Sequence, residues 1–232
     1  MKIRNPFKNL TRFERLLWSC SIIVVMASFV LSDGMNVLTL IASLIGVTAL
    51  IFVAKGDVWG QILTVLFSVV YGMISFQFRY YGEMITYLGM TMPIAMLSVY
   101  TWVKNPYQQT NEVRVHKLGK GQIWLLGIST IFITLVFYYI LKAFGTANLF
   151  FSTISITTSF SASCLMMFRN QFYALAYAAN DIVLIILWVL ATIENISYLP
   201  MVLCFVMFLI NDIYGFFNWK RMELRQNEKL QS

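Results

Sequence analysis

Polar residues arrive along this chain in short clusters, and the stretches between them are apolar. Eight such stretches stand out, at roughly 15–32, 36–54, 57–77, 83–103, 122–142, 147–167, 171–193 and 197–219. A helix needs about 20 mostly apolar residues to cross a bilayer, and each stretch comes close to that length. No ten-residue alternation of apolar and polar positions appears, so strands of a membrane barrel are not expected. The pattern predicts an all-α polytopic membrane protein with eight transmembrane helices. Lys55-Gly56-Asp57 marks a tight turn between the second and third.

Charge orients the helices. Hydrophobic residues make up 59% of the 232 positions and charged residues only 12%, against about 25% in soluble domains. With the N-terminus in the cytoplasm, every one of the 17 Lys and Arg residues except Arg79 and Lys142 falls on the cytoplasmic side. That partition satisfies the positive-inside rule. Both termini are therefore expected in the cytoplasm and the chain in the inner membrane of a cell. The net charge of +7 belongs to loops between apolar blocks rather than to one face, so nucleic acid is not an expected partner. Basic residues before the first stretch imitate a signal peptide. Ser32-Asp33-Gly34-Met35 offers no clean small-x-small cleavage site, so a retained signal-anchor helix is expected. Cys20, Cys164 and Cys204 lie within apolar stretches without metal or redox spacing, and His116 is the only histidine. No metal site, cofactor or hydrolytic triad is expected.

The longest loop, about 104–121, divides the chain into similar halves. Stretches two to four and six to eight form triplets, offset by four spans and therefore pointing the same way. They end alike, Tyr100-Thr101-Trp102-Val103-Lys104 against Phe217-Asn218-Trp219-Lys220-Arg221. The expected units are a tail with an extra helix (1–35), a first bundle (36–104), a loop and linker helix (105–145), a second bundle (146–222) and a tail (223–232). Parallel repeats of this kind are a known transporter plan. Trp59, Trp102 and Trp124 lie near predicted inner ends and read as interfacial anchors; Trp219 is open to the same reading.

Polar side chains within a span are costly unless they face protein or water. Asp57, Gln61, Thr64, Ser68, Tyr71 and Ser75 recur in steps of three and four, a single face of the third helix. That face is open to two readings, solute contact or helix packing. The sixth stretch is rich in Ser and Thr, which reads better as packing. Asn180-Asp181 and Asn211-Asp212 place an Asp near the middle of each of the last two spans, where a charged side chain costs about 2.5–3.5 kcal/mol. A polar cavity and a pair of interhelical hydrogen-bond networks both explain them. Tyr173 precedes Asn180 by two turns and Trp188 follows Asp181 by two. Carboxylates, amides and aromatic faces together suit a flat, hydroxylated, partly cationic solute. A membrane enzyme using Asp181 and Asp212 as acid and base is the lesser alternative. Pro93 permits bending of the fourth helix, whereas Pro200 sits near a helix start.

These residues resemble the PnuC family of nicotinamide riboside transporters. The likeness is carried by Trp59-Gly60-Gln61, Tyr71-Gly72, Asn180-Asp181 with Trp188, and Asn211-Asp212-x-Tyr214-Gly215 leading to Trp219, over about residues 36–222. The resemblance implies a fold like a full-length SWEET transporter, two three-helix repeats joined by a linker helix, with an extra N-terminal helix here. It implies uptake of nicotinamide riboside, an NAD precursor, by facilitated diffusion, and a homotrimer in the lipid bilayer. Thiamine or riboflavin, carried by relatives, remain alternatives. The expected substrate-binding set is Gln61, Ser68, Tyr71, Tyr173, Asn180, Asp181, Trp188, Asn211, Asp212 and Tyr214, with no catalytic residue.

Overall fold

The computed structural model describes residues 6–30, 37–77, 81–108, 110–146, 148–194 and 196–231, with side chains undescribed at 77, 81–83, 197 and 229–231. The 32–35 stretch, Lys2, Arg4 and Arg79, and the side chain of Lys229 lie outside that description. Eight helices among the described residues are long and apolar enough to cross a membrane. They are α1 (Arg12–Val30), α2 (Val37–Ala54), α3 (Val58–Gln77), α4, α5 (Lys120–Ala143), α6 (Leu149–Met167), α7 (Tyr173–Glu194) and α8 (Leu199–Gln231). The fourth, α4, runs from Tyr81–Thr86 through a π-helical turn, Tyr87–Thr91, into Met92–Lys104. An even number of crossings puts both termini on one side, called here the terminal side.

Six helices make a closed ring. In one triplet α3 lies between α2 and α4; in the other α7 lies between α6 and α8. The ring closes where α2 meets α8 and where α4 meets α6, so each triplet's first helix packs on the other's last. The remaining two lean on these seams from outside. α1 packs on α2 and α8. α5 packs on α6, and its Phe137 and Leu141 share an apolar cluster with Met90, Ile156 and Phe160.

Local chemistry sets the ends. Thr11 and Glu14 start α1 as a capping box: the Thr11 amide donates to Glu14 Oε2 at 2.6 Å and the Glu14 amide to Thr11 Oγ1 at 3.3 Å. α2 and α6 end in the same way. Gly56 (φ 66°) and Arg169 (φ 59°) take left-handed conformations, and the next amides, Asp57 and Asn170, reach back to the Phe52 and Leu165 carbonyls at 2.9 Å. Asp57 Oδ1 and Asn170 Oδ1 then accept the Trp59 and Phe172 amides, each at 3.1 Å, opening α3 and α7. Gly60 is required there, because a Cβ would stand 2.4 Å from the Val53 nitrogen. Pro93 is the second residue beyond the π turn, whose last bond runs from the Met92 amide to the Tyr87 carbonyl, and proline gives the ladder no donor there. Pro200 is the second residue of α8, where no donor is needed.

On the terminal side each triplet latches onto the other. Trp102 Nε1 donates to the Met166 carbonyl at 3.1 Å and Thr101 Oγ1 to the Met167 carbonyl at 3.0 Å. Their counterparts repeat the bonds: Trp219 Nε1 donates to the Val53 carbonyl at 2.9 Å and Asn218 Nδ2 to the Ala54 carbonyl at 2.8 Å. Thus Trp102 and Trp219 are not the interfacial anchors that position alone indicates. Both are fully buried, their rings 5.5 Å apart, whereas Trp124 is 73% exposed as an anchor would be. The Met167 and Ala54 carbonyls gain donors from Thr101 and Asn218, while the Met166 and Val53 carbonyls, which already accept the Arg169 and Gly56 amides, gain a second from the indoles; this bonding outweighs the interface preference.

The loop after α4 ties both turns. The Val113 amide donates to the Gly56 carbonyl and the His116 amide to the Arg169 carbonyl, each at 2.9 Å. α8 continues well past the predicted limit of 219 because its extension has partners in this loop. Gln226 accepts the Val115 amide at 2.9 Å and donates to Glu112 at 2.8 Å, and Arg225 pairs with Glu112. Burial holds the Asp57 carboxyl in this region above its ordinary range, against the opposing pull of its bond from the Trp59 amide.

Candidate functional site

The polar stripe of α3 faces the ring interior. Gln61 and Ser68 are fully buried and Ser75 nearly so. Thr64 and Ser68 spend their hydroxyls on their own helix, donating to the Gly60 and Thr64 carbonyls. Gln61 does not. Its amide nitrogen lies against the Met166 sulfur, and its Oε1 has no partner. Beside it is a cavity of about 10 Å³, room for roughly one water. Gln61 and Thr64 of α3, Thr91 and Ser98 of α4, Ser163 of α6 and Tyr177 of α7 line it. Ile94, Ala95 and Met166 complete the lining, so four helices from both triplets converge on one small cavity, with Trp102 bonded to the Met166 carbonyl on the terminal side.

A turn deeper are the two carboxyls. Asp181 and Asp212 are 3% and 4% exposed, and their side chains neighbour each other across α7 and α8. Asp181 Oδ2 is left without a partner. Tyr177 lies within electrostatic reach of both acids, and its hydroxyl is 2.8 Å from Ser163 Oγ. Asn180 is positioned from behind: its Oδ1 accepts Ser155 Oγ and Thr158 Oγ1, both at 3.0 Å. The Ser/Thr content of α6 thus serves contacts to α7, and also to α5 through Thr130–Ser161 and Thr134–Thr157 at 3.2 and 2.9 Å. No Lys or Arg is among the residues lining the cavity.

Aromatic rings stand at both ends. Toward the terminal side, Tyr173, Trp102 and Trp219 are fully buried, with Tyr173 edge-on to Trp219 at 4.9 Å. Toward the far side, Tyr71 stacks with Phe67 at 5.5 Å and meets Tyr87 at 4.4 Å. Trp188 lies two turns, roughly 10 Å, beyond Asp181 along α7 and meets Tyr198 at 5.7 Å. Asn211 and Tyr214 turn toward α1. Asn211 Nδ2 donates to Ser21 Oγ at 3.0 Å, with Oδ1 unpartnered, and Tyr214 donates to Glu14 Oε1 at 2.6 Å.

Gln61 thus lines the cavity with Tyr177, which is within reach of Asp181 and Asp212, while Asn180 is held by α6, Ser68 is bonded within α3, Tyr173 lies in the terminal-side seal, Tyr71 and Trp188 on the far side, and Asn211 and Tyr214 on the α1 seam. Sequence reasoning missed Tyr177, Ser163, Thr91 and Ser98. Tyr177 was findable: it precedes Asp181 by four, one helical turn on the same face. The hydroxyls of α4 and α6 carried no such mark.

The profile of the nicotinamide mononucleotide transporter family matches residues 36–221. The chain belongs to that family. Family relatives agree in length and fold. The nicotinamide riboside transporter PnuC of Neisseria mucosa is 26% identical over 230 residues, 97% of this chain and 87% of its own length. The protein of the same name from Haemophilus influenzae is 23% identical over 193 residues, 82% of each chain. A crystal structure of the vitamin B3 transporter PnuC superposes with a TM-score of 0.80 at 26% identity, covering 94% of both chains. The chain is thus a multi-pass membrane protein of a transporter family. The matched span excludes α1.

Proposed function

We propose that this protein takes up nicotinamide riboside across the inner membrane of a cell, by facilitated diffusion with alternating access, with both termini cytoplasmic. The observation that carries this reading is the buried acid pair of α7 and α8, with acceptors unpartnered on Asp181 and Gln61, near a small cavity whose lining has no Lys or Arg. A pyridinium cation complements a carboxyl pair. Its ribose hydroxyls and carboxamide supply the donors that Gln61 Oε1 and Asp181 Oδ2 lack. The family's description names a mononucleotide, whereas the relatives' names give the riboside. A phosphate would meet two carboxyls and no cation from the lining, so electrostatics favours the riboside. Thiamine and riboflavin are not favoured by the relatives.

In this mechanism the two triplets rock about the ring in the manner of a SWEET-like repeat pair. Solute enters past Tyr71 and Trp188, docks against Gln61, Asn180 and the acid pair, and leaves when the terminal-side seal of Tyr173, Trp102 and Trp219 parts. The carboxyls bind and orient; no catalytic step is assigned to them. A homotrimer fits the outward face of α5, where Ile128, Ile131, Phe132, Leu135 and Tyr139 are exposed. Calorimetry on the purified protein tests the substrate. Nicotinamide riboside should bind, with nicotinamide mononucleotide, thiamine and riboflavin at least about tenfold weaker, roughly the 1.4 kcal/mol of one good polar contact. Thiamine binding in place of the riboside would sink the assignment. Uptake into vesicles that survives an uncoupler supports facilitation, and its collapse refutes it.

A further inference from the structure

A second groove lies away from the transport path, on the terminal side, where α1 begins. It has a volume of about 480 Å³ and is lined by Phe7, Lys8, Leu10, Arg15, Trp18 and Ser19. Its wall is built rather than incidental. A 3₁₀ turn, Pro6–Asn9, folds the chain back beside α1. Phe7 then sits edge-on to Trp18 at 5.4 Å and to Phe52 of α2 at 5.0 Å, while Leu10 is buried. Trp18 is fixed in turn by its indole N–H on Thr48 Oγ1 at 3.2 Å.

Two cations stand over this apolar wall. Lys8 and Arg15 are exposed, and neither has an ion-pair partner among the described residues. Arg15 is held by Nε, which donates to the Leu10 carbonyl at 3.1 Å, so its two terminal nitrogens remain for a ligand. The nearest acid is turned away. Glu14 is 1% exposed, accepts the Tyr214 hydroxyl and pairs with Lys55 at 3.2 Å. Its charge is satisfied inward and does not cancel the groove.

We propose that this groove binds the headgroup of an anionic phospholipid. An Arg fork beside a Lys matches a phosphodiester, and basic pockets at helix ends recognise anionic headgroups. Phe7, Leu10 and Trp18 provide the surface along which glycerol and the first methylenes of an acyl chain lie. A water-soluble phosphate would use the cations and leave that wall wet, so the lipid is the better occupant. The positive-inside rule alone explains basic residues on this side; it does not explain a groove with a fixed aromatic wall and an adjacent acid turned inward. Lipid bound here would rest on α1, which bonds α2 through Thr48 and α8 through Asn211 and Tyr214. It would therefore brace the seam between the two triplets.

Native mass spectrometry of the full-length protein, titrated with phosphatidylglycerol, phosphatidylcholine or free glycerol phosphate, tests this. One phosphatidylglycerol should be retained per chain in preference to phosphatidylcholine. The variant Lys8→Gln/Arg15→Gln should bind it roughly thirty-fold more weakly, the loss of two interfacial cations. The control Lys120→Gln/Lys220→Gln removes the same charge elsewhere and should bind as the parent does. Equal weakening in both variants would reduce the effect to bulk charge and overturn the proposal. So would equal retention of the two lipids, or retention of glycerol phosphate at the same concentration. Lys8→Gln alone keeps Arg15 and its backbone bond. If the double variant fails to fold, this variant should still weaken binding, and unchanged retention refutes the site.

Discussion

Replacing Gln61 with Leu separates a solute contact from a packing residue, because the two roles have opposite signs. Gln61 is fully buried with its carbonyl oxygen unpartnered. An unsatisfied buried acceptor costs about 1–3 kcal/mol relative to hydration. Leu is close in volume and has no such group, so the empty protein should gain that amount, less the weak amide contact to the Met166 sulfur. The bound protein tells the other side. A solute donor on Oε1 satisfies the acceptor, and deleting it should cost about 1–1.5 kcal/mol, near tenfold in Kd. The expected result is an unfolding midpoint in detergent equal to or above the parent's, with nicotinamide riboside affinity near tenfold lower. A lower midpoint with unchanged affinity would show that Gln61 serves packing, and the proposed site would have to move.

Gly60→Ala should cost about 1–3 kcal/mol, as overpacking does, because the new Cβ would meet the Val53 and Phe52 backbone at 2.4 and 2.9 Å, neither of which can rotate aside; a thermal midpoint within error of the parent would contradict the close approach. Trp219→Phe removes the indole N–H from the Val53 carbonyl, which keeps the Gly56 amide, and should destabilise by about 0.5–1.5 kcal/mol. Trp102→Phe should do the same, and with the two rings in contact the double variant should depart from additivity. Asp57 tests pH. Burial raises its folded-state value above the ordinary 3.8, so the folded protein holds the proton more tightly than the unfolded chain. Its contribution is full below 3.8 and is lost as pH rises through the raised folded value. Asp57→Asn should remove that dependence and leave the Trp59 cap in place; denaturant midpoints across acidic pH that keep the parent's slope would refute it.

The membrane class and the eight crossings were legible because hydrophobic length is a direct physical requirement of a bilayer. The orientation rested on basic residues, which the fold does not set. Hydropathy could not tell which apolar residues face lipid and which face protein: Trp102 and Trp124 look equivalent in sequence, yet one is fully buried and the other 73% exposed. The matching endings Thr101-Trp102 and Asn218-Trp219 were visible as a repeat, but not that each would bond the opposite triplet. The end of α8 was placed short because residues beyond 219 are polar, and their partners lie in a loop more than a hundred residues earlier. In the site, costly residues were the readable ones. Asp181 and Gln61 announce themselves by their cost in lipid, while Ser98, Thr91 and Ser163 are ordinary in any span and come to line the cavity only by where four helices meet.

The crossed tryptophan latches carry a consequence for biogenesis. Val53 is among the first membrane residues to leave the ribosome, and the donor for its carbonyl, Trp219, is among the last. Trp102 likewise waits for Met166, in the sixth helix. Neither triplet can finish its terminal side while the other is unmade. The early helices must stand in the bilayer with these side-chain bonds unmade, where water and headgroups can take their place, until the closing helix arrives. Truncation before α8 would leave the Ala54 carbonyl without Asn218 and the Val53 carbonyl with its Gly56 amide alone, a lesion for membrane quality control to recognise. Two fragments cut within the loop after α4 should accumulate only when made in the same cell.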